Sequence, residues 1–148
     1  MDTSVVDNDL QYLYSLALGA WKTRIIISAL ELDIFTKISG RKLTCDEMQS
    51  EFKLLIQQPQ DFLDALVALK FLHRDESGQY SNTDMSEKFL NATKKEEFYG
   101  TTLKFMAKTE SIQYGKLTKI LTEGVDPQWK SMSYDGIYKD RDSVDFFS

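Results

Sequence analysis

The chain is poor in the residues that carry most legible chemistry. It has one cysteine, Cys45, so no intrachain disulfide can form, and a reducing compartment, the cytoplasm, is the expected location. It also has one histidine, His73. A structural zinc site wants about four Cys or His ligands, which are not available, and a Ser-His-Asp arrangement would have only His73 to use. The seven glycines all stand singly, and neither G-x-G-x-x-G nor G-x-x-x-x-G-K-[ST] occurs, so no phosphate or dinucleotide cradle is recognisable. No run approaches the ~20 apolar residues that a membrane span needs. Met1-Asp2-Thr3-Ser4 lacks the basic start of a signal peptide. Positive charge is in deficit as well: 18 Lys and Arg against 23 Asp and Glu leave a net charge of −5. An acidic surface repels phosphate, so nucleic acid is not expected as a partner, and without a span no membrane is expected either. The residues point to a helical interaction domain, with no catalytic and no metal-binding residues to assign.

What is present is a core. The 148 residues are 42% hydrophobic and 12% aromatic, enough for one domain or one and a fraction. The fold class expected is mainly α, with a small β-hairpin. Residues 1–8 read as a disordered N-terminus. Asn8 with Gln11 suits a helix cap, and Leu10, Leu13, Tyr14, Ala17, Leu18, Trp21 and Ile25 then recur at spacings of three and four. Leu16 and Ile25-Ile26-Ile27 widen that stripe beyond one face. A helix apolar on more than one side needs a second partner besides its own core, either another subunit or a further domain of the same chain. Ala29 to Phe35 continues the pattern, and Gly40 suits the position just past a helix end.

Thr44-Cys45-Asp46-Glu47 is a capping box opening a short helix to about Lys53. Pro59 suits the first turn of the next helix, whose apolar face is Phe62, Leu63, Leu66, Leu69 and Leu72. Phe71 to Ser81 alternates around turn residues Asp75 to Gly78 and reads as a hairpin. Helix, helix, hairpin is the order of a winged helix, here within 44–83. Thr83 or Ser86 caps another short helix. Glu96 to Thr109 reads as a helix, and Ser111 caps a further one that Gly124 ends. Residues 125–142 read as loop, and Asp142 to Ser148 as the first turn of a helix. One turn is unstable alone, so the sequence reads as cut just inside an element.

This order resembles the N-terminal dimerisation domain of S-adenosylmethionine-dependent small-molecule O-methyltransferases. Ala29-Leu30-Glu31-Leu32-Asp33-Ile34-Phe35 is similar to that family's A-x-x-L-G-[IL]-F run, with Asp33 in place of the usual Gly. Leu43 to Met48 is similar to its [LM]-T-x-x-E-[LI], Phe62 to Leu72 to its long leucine pattern, and Gly78-Gln79-Tyr80-Ser81-Asn82-Thr83 to its wing. The segment Tyr114 to Gly124 resembles the later helix that closes on the substrate. The resemblance implies a domain over 9–124, with 125–148 as linker and helix start leading to an absent catalytic domain. It implies a homodimer through Leu13, Leu16, Leu18, Trp21, Ile25 and Ile26, and Phe105, Met106 and Tyr114 lining the substrate pocket for a small-molecule hydroxyl acceptor. The plainer expectation for the last three is ordinary core. S-adenosylmethionine is expected in the full-length enzyme and not on this chain, because the family's cofactor loop and catalytic base lie further along.

Two other readings compete. One is a winged-helix DNA-binding regulator, although Gln60 to Leu72 carries Asp61 and Asp64 against one Lys70, where DNA readers place several cations. The other is a stand-alone helical protein-interaction domain. His73 reads as a surface residue and Cys45 as a small structural one. Asn91-Ala92-Thr93, a match to a glycosylation acceptor, reads as chance.

Overall fold

A 24-residue helix, α1 (Asn8–Glu31), comes first in the computed structural model, which describes residues 8–124. Only its C-terminal third is buried, through Ile26, Ile27, Ala29 and Leu30, and it packs on α2 (Ile34–Lys37) and α4 (Pro59–Ala68). The apolar pattern runs on unbroken to Phe35, but the backbone does not. Asp33 sits in the left-handed region at φ 56, and the chain restarts as α2 with Ile34 and Phe35 buried. The expected continuous helix is therefore two. Periodicity reports which side is apolar and carries no signal for one left-handed residue, a conformation that Asp tolerates better than most.

α3 (Cys45–Phe52) begins at the expected capping box: Thr44 Oγ1 accepts from the Glu47 N–H at 3.2 Å, and Glu47 Oε2 accepts from the Thr44 N–H at 2.7 Å. α4 begins at Pro59, whose missing N–H costs nothing in a first turn. Lys70, at φ 64, turns the chain out of α4 into the wing. β1 (Leu72–Arg74) and β2 (Tyr80–Asn82) pair antiparallel, with His73 opposite Ser81. Leu43 adds a bridge to Tyr80, with N–H···O distances of 3.0 and 2.7 Å. The core lies between these elements, built around Phe35, Ile38, Met48, Leu63, Leu66 and Tyr80.

α5 (Asp84–Phe89) is capped by Thr83, not Ser86; the Ser86 hydroxyl is buried and donates to the Phe71 carbonyl at 2.7 Å. Beneath α5 lies a polar cluster. Glu87 accepts from Ser39 Oγ at 2.5 Å, Asn91 Nδ2 at 2.8 Å and Asn82 Nδ2 at 2.7 Å. Burial raises the cost of that carboxylate's charge, but the three donors outweigh it and hold the group below its ordinary range. Asn91 is buried in the cluster, so its sequon match has no exposed amide to modify.

The described residues fall into two units, one ending at Gly100 and the other beginning at Thr101. Gly100 is close-packed: a Cβ there would stand 2.5 Å from the Phe98 ring. α6 (Gly100–Gln113) starts later than expected and runs through Ser111 instead of stopping before it. Residues 95–97 form a turn closed by the Glu97 and Phe98 N–H groups on the Lys94 carbonyl, and the Tyr99 N–H then bonds the Phe89 carbonyl. A 3-10 turn, Tyr114–Lys116, leads into α7 (Leu117–Glu123). Of the stretch 1–8 expected to be disordered, Asn8 is the first residue of α1; residues 1–7, the loop 125–142 and the helix start at 142–148 lie outside the described residues.

Candidate dimer interface

The first two-thirds of α1 leave their apolar side chains in water. Trp21 is 69% exposed, Leu13 and Leu16 are each 60% exposed, and Leu18 is also exposed. At 100° per residue these four do not share one face, and with Leu10, Tyr12 and Tyr14, exposed as well, they cover about two-thirds of the circumference, leaving a polar stripe at Gln11, Ser15 and Lys22. Ile25 is half-buried and Ile26 only 7% exposed, inside the core of its own chain. The structure thus separates the six residues expected at the interface. Leu13, Leu16, Leu18 and Trp21 lie on the protruding part, Ile25 at the edge, and Ile26 in the anchor that holds the helix to the winged-helix unit. The spacing of the stripe could not make that division, since it identifies a face and not what covers it. Tyr12 was missed because it falls off the three-and-four spacing; plotting all apolar residues of 8–25 around the helix would have found it.

Phe105 and Met106 both lie on α6, Phe105 half-buried and Met106 exposed. Tyr114 opens the 3-10 turn that follows, and its side chain lies outside the described residues.

The ionisable groups of the winged-helix unit serve the fold. Burial pushes the Cys45 thiol up, and Asp46 and Asp64 add to it, so the first-turn position does not activate the sulfur. Burial likewise raises the Tyr80 phenol, which donates to Asp64 Oδ1 at 2.7 Å. His73 is exposed on β1. Among the described residues no group of three or more His, Cys, Asp or Glu is placed to hold a metal ion, and no helix is long and apolar enough to cross a membrane. α4, which a DNA reader would place in a groove, contains no Lys or Arg and exposes Asp61 in its first turn, an arrangement that repels phosphate. An exposed apolar loop tip, Leu55 at 96% with Ile56, follows α3 and was not anticipated.

Comparison with known proteins agrees with this architecture. The family model of the O-methyltransferase dimerisation domain matches residues 14–92, from within α1 to the end of the Glu87 cluster. The tetracenomycin polyketide synthesis 8-O-methyl transferase TcmO of Streptomyces glaucescens is 34% identical over 82 residues, 55% of this chain and 24% of that protein. The N,N-dimethyltransferase OxyT of Streptomyces rimosus is 30% identical over 112 residues, 76% of this chain and 32% of that protein. The chain therefore spans about a quarter to a third of the length of these curated relatives. In fold it is similar to human N-acetylserotonin methyltransferase, solved in complex with SAM, at a TM-score of 0.78 and 22% identity, covering 99% of this chain and 45% of that one. With more than half its length matched by that model, the chain belongs to the O-methyltransferase dimerisation-domain family.

Proposed function

We propose that this chain is the dimerisation part of a cytoplasmic S-adenosylmethionine-dependent O-methyltransferase and that two copies pair through α1. The observation that carries the reading is the wide, exposed apolar arc of α1 upstream of its buried anchor. Such a surface is a liability on a monomer. Fully burying side chains such as Leu13, Leu16, Leu18 and Trp21 contributes roughly 1.5–3 kcal/mol each. In a two-fold pair the gain is made in both copies, which offsets an association cost of about 4–15 kcal/mol.

In the longer enzyme the second unit faces the substrate, with Phe105, Met106 and Tyr114 along the pocket of a small-molecule acceptor. Aromatic and methionine side chains suit a flat, aromatic acceptor. A hydroxyl acceptor follows the family and TcmO; OxyT, by its name, methylates nitrogen. The cofactor is held by a domain outside these residues. Two differently tagged copies of the chain are expected to co-purify, and the double variant Leu16→Glu/Trp21→Glu to lose that pairing; unpaired wild-type copies would overturn the dimer. Calorimetric titration with S-adenosylmethionine is expected to give no binding heat, whereas saturable binding to the 148 residues would contradict the division of labour.

A further inference from the structure

From Asn8 to Leu18, α1 projects beyond its anchor with every residue of the stretch exposed, and none is buried before Ile26. A short helical stretch with no buried side chain frays readily, because propagation alone must hold it. The buried turn at Ile26–Leu30 supplies the nucleus, so the outcome depends on the residues between. Gly19 stands in that path with nothing within 4 Å of where its Cβ would be. No packing explains the glycine here, and an unpacked glycine is the poorest helix former after proline. On either side, Ser15 Oγ donates to the Tyr12 carbonyl at 2.7 Å and Thr23 Oγ1 to the Gly19 carbonyl at 3.1 Å, side-chain bonds that compete with the helical ladder. The pairs Leu10–Tyr14 and Tyr14–Leu18, four apart, favour the helix only slightly. The leucines, Ala17 and Ala20 are good helix formers, but a stretch of this length is marginal in water even when Ala-rich.

We infer that Asn8–Leu18 is helical only when a second copy of the chain covers it, and that in the monomer α1 unravels up to Gly19 while the winged-helix unit stays folded. The inference rests on the α1-to-α1 pairing proposed above. Its physical content is that association orders a segment as well as burying it, so dimerisation is coupled folding and binding. The second copy is the occupant because the apolar residues spread over about two-thirds of the helix circumference, far more than one face. A flat surface covers one side, whereas a two-fold pair of projecting helices, each seated on the other, covers several.

Amide hydrogen exchange on the whole 148-residue chain tests it, comparing the wild type with the monomeric Leu16→Glu/Trp21→Glu variant. Glu is about as good a helix former as Leu and better than Trp, so lost helix reports lost association. In the variant, the amides of residues 9–18 are expected to exchange within about tenfold of unstructured rates, while Met48 and Tyr80 stay protected. Adding Gly19→Ala to that variant is expected to restore part of the protection upstream. Full protection of residues 9–18 in a proven monomer would overturn the coupling and leave the dimer reading standing. Loss of protection at Met48 and Tyr80 together with α1 would overturn the claim that the winged-helix unit folds alone. A wild-type chain that never associates would remove the dimer reading itself, and the inference with it.

Discussion

Among the described residues, Asp33, Lys53 and Lys70 adopt positive φ without being glycine. Each turns the chain out of a helix or between two, and each carries the steric cost of a Cβ in the left-handed region. Asp bears this better than Lys, since its short polar side chain can bond locally. Asp33 also stands where the resembled family usually has glycine, and its φ of 56 gives the reason that glycine suits the site. The strain at Lys70, at φ 64 between α4 and β1, is the more readily removed. Lys70→Gly should relieve about 1–2 kcal/mol of left-handed strain and give back about 0.4–1 kcal/mol through a freer unfolded chain. The expected outcome is a net gain of roughly 0.5–1 kcal/mol, read as a higher urea midpoint at unchanged slope. A lower midpoint would mean that the Lys70 side chain makes contacts the fold depends on.

At the scale of elements, what could be read in the sequence was what neighbouring residues decide among themselves. The Thr44–Glu47 capping box, Pro59 in a first turn and the Asp75–Gly78 hairpin turn are all local chemistry, and all three appear where the residues put them. The start of α6 was not legible, because the Tyr99 N–H is drawn ten residues back to the Phe89 carbonyl, a bond that neighbouring residues do not announce. The same division runs through the interface: spacing revealed the stripe on α1, but only packing shows that Ile26 belongs to the anchor and Trp21 to the projecting part. The wing turn makes a pH-dependent prediction. Asp75 Oδ1 accepts from the Ser77 hydroxyl at 2.7 Å, the Ser77 N–H at 3.1 Å and the Gln79 N–H at 3.0 Å, and Oδ2 accepts from Lys42 at 3.1 Å. The Ser77 hydroxyl first, then the Gln79 amide and Lys42, hold its carboxyl well below the usual range. The stabilisation is therefore complete above the ordinary carboxylate pKa of about 4 and drains as the pH falls below it towards the folded value. Asp75→Asn should lower the thermal midpoint at pH 7 and narrow its difference from wild type below about pH 4. A difference that stays constant across that window would show that the charge plays no part in the turn.

At the scale of the whole molecule, the described residues divide by what they bury. The winged-helix unit, from Ile26 through the Glu87 cluster, closes its own core. The projecting part of α1 does not, and the family to which the chain belongs is defined by dimerisation. Everything proposed about pairing, and about an enzyme in which paired domains flank a substrate site, depends on that surface meeting a second copy. Sedimentation equilibrium of the 148-residue chain at micromolar concentration measures this directly. The account predicts a mass twice the 17.1 kDa of one chain, falling to a single chain's mass in the Leu16→Glu/Trp21→Glu variant. A wild-type mass of 17.1 kDa across the concentration range, with the fold intact, would contradict it.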